Sequence, residues 1–259
     1  MIGHEKQKAM FERAIKNGQL SHAYVLAGPE NIGKTTFAIE FARELGCHPI
    51  LDTTLFDLEN SMTIEQAREL QHILNLTSAT GKHKVAIISY ADRMTEAAAN
   101  AILKFLENPP KRTIIFLITA NYYALLPTIA SRVVRVNFSR LSDDEVRKAV
   151  SDEKIVGLAC GRIGLAKRLV ENPEELQFFQ NAWQQYKVLE AGKQHERLLA
   201  AEKFYELESH LLAKLFSFWM QEWAEKPEGV TLGRRLRTAF ADLRYNLNTK
   251  ILLDNLFLP

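Results

Sequence analysis

One short run, Gly28-Pro-Glu-Asn-Ile-Gly33-Lys34-Thr35, constrains this chain more than any other feature. It matches G-x-x-x-x-G-K-[ST] and stands between two patterned segments. Before it, His22-Ala-Tyr-Val-Leu-Ala27 is a short apolar run with strand character. After it, from Lys34 to Leu45, Phe37, Phe41 and Leu45 recur at i, i+4 and i+8, as on the buried face of a helix. A strand, this loop and a helix together make a phosphate cradle. The glycines let backbone N–H groups approach phosphate oxygens, and the helix N-terminus adds a partial positive charge. Lys34 bridges phosphates, and Thr35 reaches a Mg²⁺ ion. Asn31 stands where many such loops have a further glycine, and Asn is one of the few residues that tolerate a positive φ. The candidate nucleotide-binding residues are Gly28, Asn31, Gly33, Lys34, Thr35 and Thr36, with ATP or ADP as the expected ligand and only weak support for Mg²⁺.

The surrounding pattern predicts an α/β fold. His4 to Asn17 reads as a helix, and Thr63 with Gln66 resembles a capping box ahead of Ile64, Ala67, Leu70 and Leu74 at helical spacing. Lys84 to Tyr90 contains the strand run Val-Ala-Ile-Ile. Thr95 can cap a helix over Glu96 to Glu107 that Asn108-Pro109-Pro110 stops. Thr113-Ile-Ile-Phe-Leu-Ile-Thr119 is the most strand-like run of the chain. Strands that are apolar throughout and separated by helices imply a parallel sheet covered on both faces. Strand signals stop after Arg135-Val-Asn-Phe138. Ser142 and Glu145 form another capping box, a short helical pair runs to about Asn172, and helix continues from Glu174. Leu198, Phe204, Leu207, Leu211 and Leu215 form one helical stripe, and Leu232, Leu236, Phe240, Leu243 and Leu247 another. The expected organisation is residues 1–138 as the parallel-sheet domain, 139–172 as a small helical lid and 173–259 as an all-α domain.

Charge and cysteine content narrow the classes further. With 33 Lys plus Arg against 31 Asp plus Glu among 259 residues, the net charge of +2 gives no global field for nucleic acid or an anionic membrane. Arg234, Arg235 and Arg237 cluster, and Lys104 and Lys111 stand on either side of the helix stop at Pro109, but such groups are ordinarily a solvated face. Trp183, Phe216, Trp219 and Trp223 fall at helical spacing and read as core or subunit interface, not as a base-stacking platform. Cys47 and Cys160 read as reduced buried thiols. No apolar run approaches the roughly 20 residues that span a bilayer, so no membrane partner and a cytoplasmic location are expected.

Binding phosphate is separable from hydrolysing it. A hydrolytic loop protein also needs a carboxylate at the end of a neighbouring strand for Mg²⁺, with an acidic residue beside it. Here that strand ends in Ser89-Tyr90, and Asp92 is displaced along the turn. The residues therefore describe a nucleotide-binding fold with a disabled hydrolytic centre.

Three further stretches carry a resemblance: Leu20-Ser-His-Ala-Tyr-Val-Leu-Ala-Gly-Pro29, Ala98-Ala-Asn-Ala-Ile-Leu-Lys-Phe-Leu-Glu-Asn-Pro-Pro110 and Leu126-Pro-Thr-Ile-Ala-Ser-Arg132. Together they resemble the bacterial clamp-loader subunits of DNA polymerase III, and most of all the delta-prime group. Leu243-Arg-Tyr-Asn-Leu-Asn-Thr-Lys-Ile-Leu-Leu-Asp-Asn-Leu256 looks like that family's C-terminal segment. The resemblance implies an AAA+ architecture: a RecA-like P-loop domain, a helical lid, and a helical collar that assembles subunits. It implies that Arg132, in Ser131-Arg132-Val133 where the family has Ser-Arg-Cys, serves as an arginine finger to a neighbouring subunit's ATP. The implied partners are motor subunits of the gamma/tau type and a delta-like subunit, with the sliding clamp and primed DNA reached through the complex.

Departures from the family shape the expectation. The motor subunits have Asp-Glu where this chain has Ser89-Tyr90, and an Arg where Gly161-Arg-Ile-Gly164 aligns Gly164. Of the family's four zinc cysteines only Cys47 stands here, beside His48, so neither zinc nor any other metal site is expected. The expected role is an assembly and stator subunit that binds nucleotide without turnover. The alternatives are an active clamp-loader ATPase and a P-loop kinase or nucleotide-metabolising transferase.

Overall fold

The computed structural model describes residues 1–57, 64–75, 78–80, 82–225, 230–243 and 248–258. Thr63 and residues 244–247, Leu247 among them, lie outside the described residues, as does any capping by Thr63. The chain divides into two compact units, Met1–Arg168 and Leu169–Pro259.

The first unit is built on five parallel strands: β1 (Ala23–Ala27), β2 (Thr53–Asp57), β3 (Lys84–Ser89), β4 (Thr113–Thr119) and β5 (Val134–Asn137). Their order across the sheet is β2-β3-β4-β1-β5. Every residue of β1, β3 and β4 is buried, as continuous apolar runs require of strands covered on both sides. Successive side chains alternate between two cores. Val25, Ala86, Ile88, Ile115 and Leu117 face one, with Ala98, Ile102 and Leu106; Tyr24, Leu26, Val85, Ile87 and Phe116 face the other, with Phe11, Phe37 and Phe41. Helices α1 (Glu5–Lys16) and α2 (Lys34–Glu44) cover the second face, whereas α3 (Ile64–Asn75), α4 (Glu96–Glu107) and the single turn α5 (Pro127–Ala130) cover the first. The rings of Phe11, Tyr24 and Phe41 lie 5.6–5.9 Å from that of Phe116, filling the space between α1, α2 and the central strand.

Local signals act as the sequence predicts. Thr95 Oγ1 accepts the N–H of Ala98 to start α4, and Ser142 with Glu145 makes a reciprocal capping box for α6 (Asp143–Arg147). Strand β2 is the element that patterning misses: it is an edge strand with Leu55 and Asp57 exposed, so its sequence need not be apolar. The predicted helical pair after Ser142 is three helices, α6, α7 (Glu153–Ala159) and α8 (Ile163–Glu171). Cys160 and Gly161, with φ of 45° and 75°, break the chain between the last two. Cys47 is buried, with its thiol pushed up to about 11 chiefly by burial, but Cys160 is only half-buried and donates its thiol to the Gly157 carbonyl.

The second unit is entirely helical among the described residues: α9 (Pro173–Ala191), α10 (Gln194–Glu202), α11 (Ser209–Glu225), α12 (Val230–Asp242) and α13 (Thr249–Phe257). Its centre is Trp219, fully buried, whose Nε1–H donates to the Ala182 carbonyl over 2.8 Å and whose ring meets Phe204 and Phe257 at 5.6 Å. The stripe predicted from Leu198 to Leu215 is not one helix. A turn separates α10 from α11, and Leu198 is exposed. No helix among the described residues is long and apolar enough to cross a membrane.

Candidate functional site

Parallel α/β sheets bind ligands beyond the carboxyl ends of their strands. Here those ends carry a cavity of about 410 Å³. Asn31, Gly33, Lys34, Thr35 and Thr36 line it from the loop, Ser89 and Tyr90 from the end of β3, and Thr119 from the end of β4. Gly28 stands behind the loop. Its N–H donates to the Thr119 carbonyl, and a Cβ there would meet the Phe138 carbonyl oxygen at 2.2 Å, so only glycine fits between β1 and β5's continuation. Asn31 has the expected positive φ, 61°.

The loop is braced from outside. His4, buried and itself at a φ of 60°, donates its Nε2–H to the Ile32 carbonyl over 2.8 Å and sets its ring against Phe138. On the other side the Gly164 N–H at the start of α8 donates to the Asn31 carbonyl over 2.7 Å. A Cβ on Gly164 would lie 2.8 Å from that oxygen, so the approach of α8 to the loop requires glycine there. One turn on, Arg168 lines the same cavity, with Nη1 3.5 Å from Asn31 Oδ1. A guanidinium is thus present at the cavity, supplied from a different turn of α8.

Lys34 is buried, and its ammonium donates to the Gly28 and Pro29 carbonyls of its own loop. Burial pushes its pKa down to about 8, against the opposing pull of Glu30 and Asp92. These carbonyls hold the cation at the place where phosphate oxygens would take it over, so loop and lysine fit a nucleotide phosphate. The fit to a metal is poorer. Ser89 and Tyr90 offer no carboxylate at the end of β3, and Asp92 accepts the Thr119 hydroxyl over 2.6 Å in the short turn Ala91–Arg93. The carboxylates lining the cavity are Glu30 and Asp57, the latter paired in register with Ser89. No group of three or more His, Cys, Asp or Glu suited to a metal occurs among the described residues. Tyr90 has a φ of 54°, and the Arg93 guanidinium stacks 4.3 Å from its ring while reaching toward Glu30 at 3.8 Å.

Arg132 is not among the residues lining this cavity. It follows α5 and is half-exposed, paired with Glu107 over 2.9 Å. Of the basic cluster near the C-terminus, Arg235 turns inward to donate to the Leu256 carbonyl, so the three arginines share no single exposed face. Sequence reasoning missed Glu30, Asp57, Thr119 and Arg168. The one available signal was Thr119, a polar residue closing an otherwise apolar strand at its carboxyl end.

Sheet order, loop and cavity define a P-loop α/β protein of the AAA+ type. The family profile described as "DNA polymerase III, delta subunit" matches residues 3–59 and 51–142, and the chain belongs to that family. It is 34% identical over 163 residues to the DNA polymerase III subunit delta' of Bacillus subtilis, covering 55% of this chain and 48% of that one. It is 32% identical over 154 residues to the delta' subunit of Pseudomonas aeruginosa, covering 50% and 46%. The tau subunit of Bacillus subtilis is 26% identical over 166 residues, 56% of this chain and 30% of that one. The chain spans less than half the length of these curated relatives. Among solved structures, a DNA polymerase III gamma-subunit-related protein from Thermotoga maritima superposes with a TM-score of 0.58 at 23% identity, covering 95% of this chain and 97% of that one. RuvB from the same organism gives 0.53 at 18% identity, covering 98% and 88%. These two likenesses concern the fold.

Proposed function

We propose that this chain is a delta-prime-like subunit of a DNA polymerase III clamp loader, an assembly and stator component that binds ATP or ADP without turning it over. The observation that carries the reading is the mismatch within one cavity: Lys34 and Thr35 stand ready for phosphate, while Ser89 and Tyr90 occupy the strand end that a hydrolytic site needs for carboxylates. Bound Mg²⁺-nucleotide would supply only charge and shape here. The backbone donors of the loop and Lys34 hold the phosphates, and Thr35 lies where a hydroxyl would meet the cation. On this reading residues 1–138 form the ATPase-like domain, 139–172 the lid and 173–259 the collar, and the protein works in the cytoplasm.

The chemistry the subunit contributes is then in trans. A guanidinium fork neutralises charge on a γ-phosphoryl group in transfer, and Arg132 is half-exposed beside the sheet's β5 edge. Its partners are subunits of the gamma/tau and delta types, with clamp and primed DNA engaged through the complex. The names of the relatives support this assignment, and the missing carboxylates weigh against an active motor. The test is co-purification with its own organism's gamma/tau-type and delta-type subunits, followed by the ATPase of the assembled complex. Arg132→Ala is expected to assemble normally and to slow the DNA-stimulated rate at least tenfold. An unchanged rate would remove the finger from the reading.

A further inference from the structure

The surroundings of Arg132 hold a feature that neither the sequence motif nor the phosphate cavity uses. Its Nη2 lies 2.9 Å from Glu107 Oε1, and its Nη1 donates to the Thr128 carbonyl over 3.0 Å and to Ser131 Oγ over 3.2 Å. These contacts come from two helix ends. Glu107 is the last residue of α4, stopped there by Asn108 and two prolines, and Thr128 lies in the single turn of α5. A carboxylate at a helix C-terminus faces the negative end of the dipole and is unfavourable there unless a cation answers it. Arg132 supplies that cation and also donates to the Thr128 carbonyl, which accepts the Ser131 hydroxyl over 3.0 Å as well. Both helix ends are fixed in turn. The Leu106 carbonyl accepts the His22 ring N–H over 3.0 Å, and Ile129 is fully buried.

We propose that Glu107 is the positioning residue of Arg132, holding its guanidinium in the orientation from which it meets the γ-phosphate of a neighbouring subunit's nucleotide. This rests on the reading above that Arg132 acts in trans. Glu107 touches neither nucleotide nor reacting atoms. It acts by restricting a long side chain whose rotamer freedom would otherwise be lost at the moment of contact, and a planar fork held at its two terminal nitrogens keeps further N–H donors to offer. The pair is half-exposed on both sides, 38% and 48%, and a pair this wet is too weak to sequester the arginine from a phosphate. It orients the group and does not lock it away.

The experiment uses the full clamp-loader complex containing this chain, with its clamp and primed DNA, and reads steady-state ATPase against ATP concentration. Glu107→Ala is expected to lower kcat three- to tenfold with KM for ATP unchanged, and Glu107→Gln, which retains an acceptor oxygen, to recover at least half the rate. Glu107→Asp keeps the charge at the helix end but withdraws it by one methylene, so it should fall about threefold; it decides the matter if Glu107→Ala assembles poorly. In an Arg132→Ala background, Glu107→Ala should change nothing further. If Arg132→Ala slows the complex while Glu107→Ala and Glu107→Asp leave kcat unchanged or raise it, the positioning role is overturned and the finger stands. If Arg132→Ala itself has no effect, both are overturned.

Discussion

The backbone N–H of Gly164 donates to the carbonyl of Asn31 over 2.7 Å, a backbone bond that ties helix α8 to the phosphate loop. Its closeness excludes any side chain at Gly164, since a Cβ would stand 2.8 Å from the accepting oxygen. Gly164→Ala should therefore push α8 off the loop and carry Arg168 away from the cavity. The expected result is nucleotide affinity about tenfold weaker, or ~1.4 kcal/mol, by titration calorimetry of the isolated chain. Affinity equal to the parent's would show that α8 takes no part in shaping the site.

Lys34 gives the site a pH dependence whose sign is fixed. Burial lowers its folded-state pKa from the ordinary 10.5 to about 8, so between these values the unfolded chain holds a proton that the folded chain has released. Stability of the ligand-free chain should thus rise as pH rises from about 8 toward 10.5. Nucleotide affinity should move the opposite way, because phosphate selects the ammonium, and should fall by up to tenfold per pH unit above about 8. Lys34→Met should abolish the rise in stability. Urea unfolding and calorimetry at pH 7, 8 and 9 separate the two trends.

Asp52 organises the loops that lead into β2 and β3. It is buried, and it accepts the N–H groups of His48 (3.1 Å), Ala79 (2.7 Å) and Thr80 (3.2 Å) together with the Thr80 hydroxyl (2.9 Å). Burial works to raise its pKa, but these donors outweigh it and hold the carboxyl well below the usual carboxylate range. Its contribution is present above the unfolded carboxylate's pKa of about 4 and is lost as pH falls below that. Asp52→Ala should cost about 2–4 kcal/mol in urea unfolding at pH 7, since it leaves several buried donors unpaired. A cost under about 0.5 kcal/mol would mean that water replaces the carboxylate without loss.

Legibility in the sequence followed locality. The phosphate loop, the helix after it, the caps at Thr95 and Ser142 and the strands β1, β3 and β4 are each specified by a few adjacent residues, and each formed where the pattern placed it. Strand β2 escaped because an edge strand has one neighbour and tolerates polar, exposed positions such as Asp57. The stripe from Leu198 to Leu215 misled because two helices in succession can share a periodicity across the turn that separates them. The cavity wall was legible only where the loop supplies it. Asp57, Thr119 and Arg168 reach it through the strand order β2-β3-β4-β1-β5 and the docking of α8, relations between segments far apart in sequence. For the same reason Arg132 was visible as a motif residue, whereas its partner Glu107 was not.

The most direct test of a nucleotide site that binds and does not hydrolyse is one paired measurement on the isolated chain: calorimetric titration with Mg²⁺-ATP and Mg²⁺-ADP, and phosphate release from the same samples, for the parent and Lys34→Ala. Saturable binding at one site, lost in Lys34→Ala, with no phosphate release above the buffer control, is the expected result. Steady release by the parent that vanishes in Lys34→Ala would contradict it, and so would the absence of binding.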